Sequence, residues 1–151
     1  MEPSETAMAD RARTVALVKK PETIIDYTRR LAALIGLGHW RIDFEIEPAP
    51  DDSVACIRVV RGQQRAILQV GKQYAAQSPE DARSTILHEL IHVYLWPLDD
   101  LVDHVQPHVG TIAAALIEAQ HELAVERATD ALAVAIAPHF PLPANQQKVE
   151  P

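Results

Sequence analysis

Several residue types that would define a structural class are scarce in this chain of 151 residues. Cys56 is the one cysteine, so no disulfide can form within the chain, and its apolar surroundings favour a buried thiol. No apolar run exceeds the seven residues 131–137, which is too short to cross a bilayer. The first ten residues are polar and lack the apolar core of a secretion signal. We therefore expect a cytoplasmic protein with no membrane partner.

Basic residues are also few. The chain has 14 Lys and Arg against 21 Asp and Glu, a net charge of -7, and no basic run longer than two residues. Proteins that bind nucleic acid need a basic surface to neutralise phosphates, so we expect no direct nucleic-acid partner. Aromatic residues make up only 5% of the chain, which favours a core of aliphatic and small side chains. The length allows one domain.

Periodicity divides the chain into a tail, one domain and a second tail. Residues 1–20 are expected to be partly disordered or to form a short helix, and the domain spans 21–138. The domain begins with a support helix from Pro21 to Gly36, because apolar residues recur there at helical spacing and proline suits a first turn. Over 40–47 the pattern changes to strict alternation, which predicts a half-buried strand.

Two more strands complete a small sheet. They are predicted at 54–60 and 65–70, and a turn at 61–64 joins them. Because the three strands are short and follow one another in the chain, we expect them to pair antiparallel. The sheet and the surrounding helical patterns make the predicted fold class α+β.

Two longer helices follow the strands. Ser78 is a suitable N-cap, Pro79 suits the first helical position, and acids occupy the first turn. Pro97 is expected to end this helix, since proline removes a hydrogen bond from a helix interior. A linker then leads to the last long helix at 111–137, and residues 139–151 form a C-terminal tail.

The helix that begins at Ser78 carries the sequence His88-Glu89-Leu90-Ile91-His92. On a helix, His88 and His92 lie about 40° apart around the axis and about 6 Å apart along it, so both imidazoles can bind one metal ion. Glu89 projects between them and can act as a base on water at the metal. The pattern arises by chance in roughly 2% of chains of this length and His and Glu content. We therefore expect a Zn²⁺ site with Glu89 as the catalytic base.

A catalytic zinc ion usually has three protein ligands, so a third must come from elsewhere in the chain. The last helix carries an acidic row at i, i+4 spacing, formed by Glu118, Glu122, Glu126 and Asp130. Like charges at this spacing destabilise a helix, and Arg127 is the only basic residue near the row. The row indicates that a positive group faces it, although parts of such a row can also be ordinary exposed surface.

The combination of His88-Glu89-x-x-His92 with Glu126-x-x-x-Asp130 on a later helix resembles the gluzincin class of zinc metallopeptidases. Residues 126–138 are similar to the glutamate helix of small ImmA/IrrE-like peptidases and of phage-encoded minimal gluzincins. The resemblance implies that Glu126 is the third zinc ligand. It also implies that Asp130 hydrogen-bonds to His88 and orients it.

The gluzincin resemblance covers roughly residues 65–138 and implies a zincin-like minimal domain with a short three-stranded sheet. The implied activity is hydrolysis of peptide bonds in a protein or peptide substrate. The resemblance further implies that the strand at 65–70 is an edge strand that binds the substrate by strand addition. One departure is that 33 residues separate His92 from Glu126, more than in compact gluzincins, and this leaves Glu122 as an alternative ligand.

Two other interpretations stay open. Residues 87–95 also resemble the motif helix of SprT-like proteases, whose third ligand is a later histidine, here His104 or His108. A non-catalytic interaction domain stabilised by zinc would explain the acidic row, but a structural zinc site needs no base at Glu89. The sequence does not rank Tyr94, His104 and His121 as donors to a developing oxyanion, and it does not give the oligomeric state.

Overall fold

The computed structural model describes residues 22–45 and 47–144. The elements in chain order are helix α1 (Ile24–Leu34), strands β1 (Arg41–Phe44), β2 (Ala55–Val59) and β3 (Arg65–Val70), helix α2 (Pro79–Val105) and helix α3 (Thr111–Ile136). Short 3-10 helices at Lys72–Ala76, Gln106–His108 and Ala137–His139 connect or end them. The α+β class is confirmed. The predicted N-terminal tail, Ile46 of the first strand and residues 145–151 lie outside the described residues.

Helix α1 begins later than the support helix that the sequence predicts. Thr23 is its N-cap and accepts the Asp26 N–H at 3.2 Å. The helix ends as expected, because Gly36 has a φ of 87°, a left-handed conformation that glycine adopts without steric cost. Tyr27 and Leu31 on one face of α1 are buried, and this face supports the rest of the domain.

The sheet is mixed, so the prediction of three antiparallel strands is wrong. Its strand order is β1-β3-β2, with β1 parallel to β3 and β2 antiparallel to β3. The tight turn after β2 fixes only the β2–β3 pair. The connection from β1 to β2 is long and takes β2 to the far side of β3. It includes Asp51 and Asp52, whose φ values are 54° and 56°. The predicted edge strand β3 is therefore central, and the edges are β1 and β2.

The hydrophobic core joins α1, the sheet and α2. Leu31 of α1, Ile42 of β1, Leu68 of β3, and Leu87 and Leu90 of α2 are at most 1% exposed and belong to one cluster. Burying each such side chain stabilises the fold by about 1.5–3 kcal/mol. This packing determines which face of α2 contacts the sheet. It thereby also determines where the face that carries His88 and His92 points.

Helix α2 continues to Val105, so the prediction that it ends at Pro97 is wrong. The start is as predicted, with the Ser78 hydroxyl accepting the Asp81 N–H at 3.1 Å. An interior proline costs about 3 kcal/mol through the lost hydrogen bond and its ring. The pairing of Asp99 with His121 of α3 opposes this cost, and Arg61 from the β2–β3 turn pairs with Asp100 and Asp103 beyond the proline.

Helix α3 is the last long helix that the sequence predicts, and it runs antiparallel to α2. Side-chain contacts between the two helices occur at His88–Asp130, at His92–Glu126 and at Asp99–His121, so residue numbers rise along one helix as they fall along the other. The linker expected between Pro97 and Thr111 is only a few residues long, because α2 continues to Val105. The 33 residues between His92 and Glu126 are therefore mostly helical. No helix in the described part of the chain is both long and apolar enough to cross a membrane.

The first part of the expected C-terminal tail packs on the domain. Tyr27 donates its hydroxyl to the Pro141 carbonyl at 2.9 Å, and Arg30 donates to the Leu142 carbonyl at 3.1 Å. The Ala144 N–H donates to the Glu22 carboxylate, which Arg30 also contacts. These bonds anchor residues 141–144 to the start of α1.

Candidate metal centre

Three potential metal ligands meet between α2 and α3. The Nε2 atoms of His88 and His92 are 3.1 Å apart. One carboxylate oxygen of Glu126 lies 3.3 Å from His92 Nε2, and the other lies 3.6 Å from His88 Nε2. The two histidines share one face because they are one helical turn apart, and the antiparallel packing of α3 brings the carboxylate to that face. The three residues form a cluster that could hold a metal ion.

The spacing of these atoms can be tested against zinc geometry. Zinc binds nitrogen and carboxylate oxygen at about 2.0–2.2 Å in a tetrahedral arrangement, which places neighbouring ligand atoms about 3.3–3.5 Å apart. The two nitrogens are 3.1 Å apart, and a different Glu126 oxygen lies near each of them, at 3.3 and 3.6 Å. One ligand atom from each residue lies within 4.8 Å of the others, so the two imidazoles and the carboxylate are close enough to share one metal ion.

Asp130 lies on the outer side of His88. Its Oδ1 atom is 3.0 Å from His88 Nδ1, within reach of the proton that Nδ1 carries when Nε2 acts as a metal ligand. In that tautomer the lone pair of His88 Nε2 faces His92 and Glu126. Burial lowers the pKa of His92, which keeps its ring neutral and able to act as a ligand. Both rings thus present a lone pair to one point.

Glu89 lies beside the cluster but does not belong to it. Its side chain is buried, with 7% of its surface exposed. Burial raises its pKa from 4.5 to about 7, the Ile57 backbone N–H opposes this rise by hydrogen bonding, and the charge of Glu126 adds to it. A carboxyl group with a pKa near neutrality can both accept and release a proton at physiological pH.

Strand β2 can supply that N–H because it is an edge strand. The ladder bonds at its two ends, from Val60 N–H to the Arg65 carbonyl and from Gly71 N–H to the Val54 carbonyl, are each 2.8 Å long. Along a strand of an antiparallel pair, residues whose backbone N–H and C=O groups bond to the partner strand alternate with residues whose backbone groups point away from it. Ile57 is one of the latter, so β2 presents free backbone groups to the side where the histidines lie.

A cleft of about 620 Å³ lies between β2 and the cluster. Residues 53–59 form one wall, and His88, Glu89, His92 and Glu126 form the other. Trp96 and Asp99 line the end of the cleft towards the C-terminus of α2.

A second cavity of about 300 Å³ lies on the opposite side of His88 and Glu89. It is lined by Thr85 and, on α3, by Val134, and it shares Val54 and Ala55 of the β2 wall with the larger cleft. The two cavities together form a groove that follows β2 past the cluster on both sides.

The alternative ligands do not join this cluster, which contains only His88, His92 and Glu126. Glu122 is exposed one turn before Glu126. His104 donates to the Asp100 carbonyl at 2.6 Å, and His108 is exposed in a 3-10 turn. Among the residues that the structure describes, Glu126 is therefore the acid that α3 places beside the Nε2 atoms of both histidines.

The three candidate oxyanion donors are placed differently. Tyr94 is directed towards α1, where its hydroxyl donates to the Ile35 carbonyl, and His104 is turned back onto α2. His121 pairs with Asp99 at 2.7 Å in the seam between α2 and α3. None of the three lines the cleft.

Sequence reasoning missed Trp96, Asp99 and the Ile57 N–H as parts of the cleft. Asp99 is seven residues after His92, which is two helical turns, so both lie on one face of a continuous helix. This spacing would have identified Asp99 if the helix had been extended past Pro97. The Ile57 contact depends on strand order, which has no local signal.

Comparison with known proteins finds no relative: no family model matches the chain, and no curated protein or solved structure is significantly similar to it.

Proposed function

We propose that this protein is a zinc-dependent metallopeptidase of the gluzincin type. His88, His92 and Glu126 hold the ion, Glu89 is the general base, and Asp130 orients His88. The observation that carries the proposal is the position of Glu126, which is 34 residues after His92 in the chain and whose carboxylate lies 3.3 Å from the imidazole of His92. Buried Glu89 next to this cluster supplies the proton acceptor that a purely structural site does not need.

The ligand chemistry favours zinc over the common hard cations. Two imidazole nitrogens and one carboxylate oxygen match catalytic zinc sites, whereas Mg²⁺ and Ca²⁺ prefer shells of oxygen ligands. His88, His92 and Glu126 would hold the ion, and all three line the cleft, so a bound ion would be accessible to a molecule in the cleft. When bound, zinc supplies Lewis-acid chemistry, making water acidic near neutral pH and polarising a carbonyl group.

Glu89 performs the proton transfers. Its carboxylate accepts a proton from the attacking water, and the resulting carboxyl group donates the proton to the leaving amine nitrogen. Its pKa of about 7 suits both directions at neutral pH. The Ile57 N–H holds the carboxylate from the strand side, so Glu89 stays oriented towards the cleft during the reaction.

The substrate is an extended segment of peptide. The Ile57 N–H is bonded to Glu89, but the other outward backbone N–H and C=O groups of the β2 edge face the cleft, and an extended chain can pair with them as an additional strand. The groove continues on both sides of His88 and Glu89, which leaves room for residues before and after the cleaved bond. The substrate strand therefore pairs with β2, in place of the β3 pairing that the sequence predicts.

The test compares wild type with Glu89→Gln after both are loaded with zinc. A fluorogenic peptide library reports cleavage, and elemental analysis confirms equal metal content. Loss of the general base is expected to lower kcat/KM by about 10²–10⁴ without reducing zinc content. Equal cleavage by both proteins, or no cleavage by fully loaded wild type of any peptide in the library, would overturn the proposal.

A further inference from the structure

The end of the cleft beyond His92 carries a carboxylate that neither metal binding nor proton transfer uses. Asp99 is two helical turns after His92, about 10 Å further along α2, and lines the same cleft. Its side chain keeps 40% of its surface exposed. The carboxylate is therefore accessible to a molecule bound in the cleft.

Asp99 is also held in position. The His121 Nε2–H donates to its Oδ1 atom at 2.7 Å, and the His121 side chain is only 21% exposed. No other hydrogen bond to this carboxylate is found within residues 22–45 and 47–144. One oxygen is thus fixed by α3 while the other can accept hydrogen bonds from a ligand, and charged ligands bind a preoriented carboxylate most strongly.

Trp96 lies beside Asp99 at the same end of the cleft, one turn closer to His92. The guanidinium of Arg61 lies 5.6 Å from the centre of its ring, so one side of the indole is already in contact with a cation. Arg61 itself pairs with Asp100 and Asp103. Its charge is therefore already matched, and it does not neutralise Asp99.

The charges along the cleft favour a positive ligand at this end. Among the described lining residues, the acids are Glu89, Asp99 and Glu126, and the single Lys or Arg is Arg58, whose guanidinium is 3.4 Å from Glu45. Glu126 faces the metal centre and Glu89 is buried. Asp99 is the acid that remains to contact a substrate side chain.

We propose that Asp99 and Trp96 form a subsite for an arginine or lysine side chain of the peptide substrate. This inference rests on the proposed peptidase function. Asp99 accepts charge-assisted hydrogen bonds from the guanidinium or ammonium group, and the Trp96 ring contacts the aliphatic part of the side chain. An extended chain rises about 3.3 Å per residue, so the basic residue lies within about three residues of the cleaved bond.

The test uses the zinc-loaded full chain and a peptide library randomised on both sides of the cleaved bond. Wild type is expected to select Arg or Lys at one position within three residues of the cleavage point. For a matched pair of peptides with Arg or Gln at that position, kcat/KM should favour Arg at least tenfold. Asp99→Asn should reduce this ratio below threefold.

Glu118→Gln is the matched control, since it removes one negative charge from the exposed surface of α3, one turn before His121 and outside the cleft. It should keep the wild-type ratio. Circular dichroism melting checks that each variant is folded, and Asp99→Ser serves as a second variant if Asp99→Asn is not. The wild-type library result tests the subsite without any variant.

The outcomes separate the two proposals. Cleavage by wild type without a basic preference, or a preference that persists in folded Asp99→Asn or Asp99→Ser, overturns the subsite and leaves the peptidase function standing. Loss of the preference in Glu118→Gln to the same extent also overturns it, because a general electrostatic effect would then explain the selection. Absence of any cleavage by zinc-loaded wild type overturns both proposals.

Discussion

Replacing Glu89 by glutamine is expected to stabilise the metal-free protein at alkaline pH. The folded state raises the pKa of this buried carboxyl group from 4.5 to about 7, so folding disfavours its charged form. A carboxyl group with a raised pKa causes no loss of stability below pH 4.5. The loss grows as the pH rises towards 7 and is constant above it. Glutamine is neutral throughout and keeps an oxygen that can accept the Ile57 N–H.

The magnitude follows from the two pKa values. A tenfold change in acidity corresponds to about 1.36 kcal/mol, so the charged carboxylate costs about 3 kcal/mol at pH 8 and about 1 kcal/mol at pH 5. Glu89→Gln should therefore raise the free energy of unfolding by these amounts. For a domain of this size, the gain at pH 8 corresponds to a rise in Tm of roughly 6–12 °C.

Urea denaturation of metal-free wild type and Glu89→Gln at pH 5 and pH 8 measures this effect. The variant should be more stable at both pH values, with the larger gain at pH 8. Equal stability of the two proteins at pH 8, or a gain that does not change with pH, would refute the reasoning that burial of an ionisable Glu89 destabilises the fold. The same variant should lose peptidase activity, so the site would gain stability where it loses function.

Two further predictions concern the support of the site. Asp130→Asn should weaken zinc binding about tenfold. This is the lower end of the range for groups that orient a ligand, because the Asp130 side chain is 72% exposed. Competition with a chromogenic chelator measures the zinc affinity, and an unchanged affinity would contradict the role of Asp130. Leu68→Ala should lower the free energy of unfolding, measured by urea denaturation, by about 2–5 kcal/mol, because Leu68 is fully buried in the central strand. A decrease below about 1 kcal/mol would contradict the core position of β3.

Features with local causes could be predicted from the sequence. Ser78 and Pro79 mark the start of α2 because capping and the fixed φ of proline act within a few residues. The bounds of β3 agree with its apolar pattern. Helix geometry alone places His88 and His92 on the same face of α2, and their Nε2 atoms are 3.1 Å apart in the structure.

Strand order could not be predicted, because it depends on contacts between distant residues. The alternating pattern of β1 predicts that one face of the strand is buried, but it does not indicate which strand β1 pairs with. The resemblance to zincins assigns the substrate edge to residues 65–70, and strand order is needed to test that assignment. In the structure β3 lies between its two neighbours, and the edge beside Glu89 is β2.

The interior proline shows a local rule that tertiary contacts override. Pro97 weakens the helix locally, but Arg61 and the packing on α3 hold the residues beyond it. The error had a functional consequence, because ending α2 at Pro97 separated Asp99 from the helix face that carries His92. A residue that lines the cleft was therefore read as part of a linker.

The central claim is that Glu126 completes a zinc site with His88 and His92. Its most direct test is the zinc content of wild type, Glu126→Ala and Glu122→Ala after reconstitution and dialysis, measured by inductively coupled plasma mass spectrometry. Wild type and Glu122→Ala are expected to retain one zinc ion per chain, and Glu126→Ala is expected to lose it. Full retention of zinc by Glu126→Ala, or its loss from folded Glu122→Ala, would contradict the account.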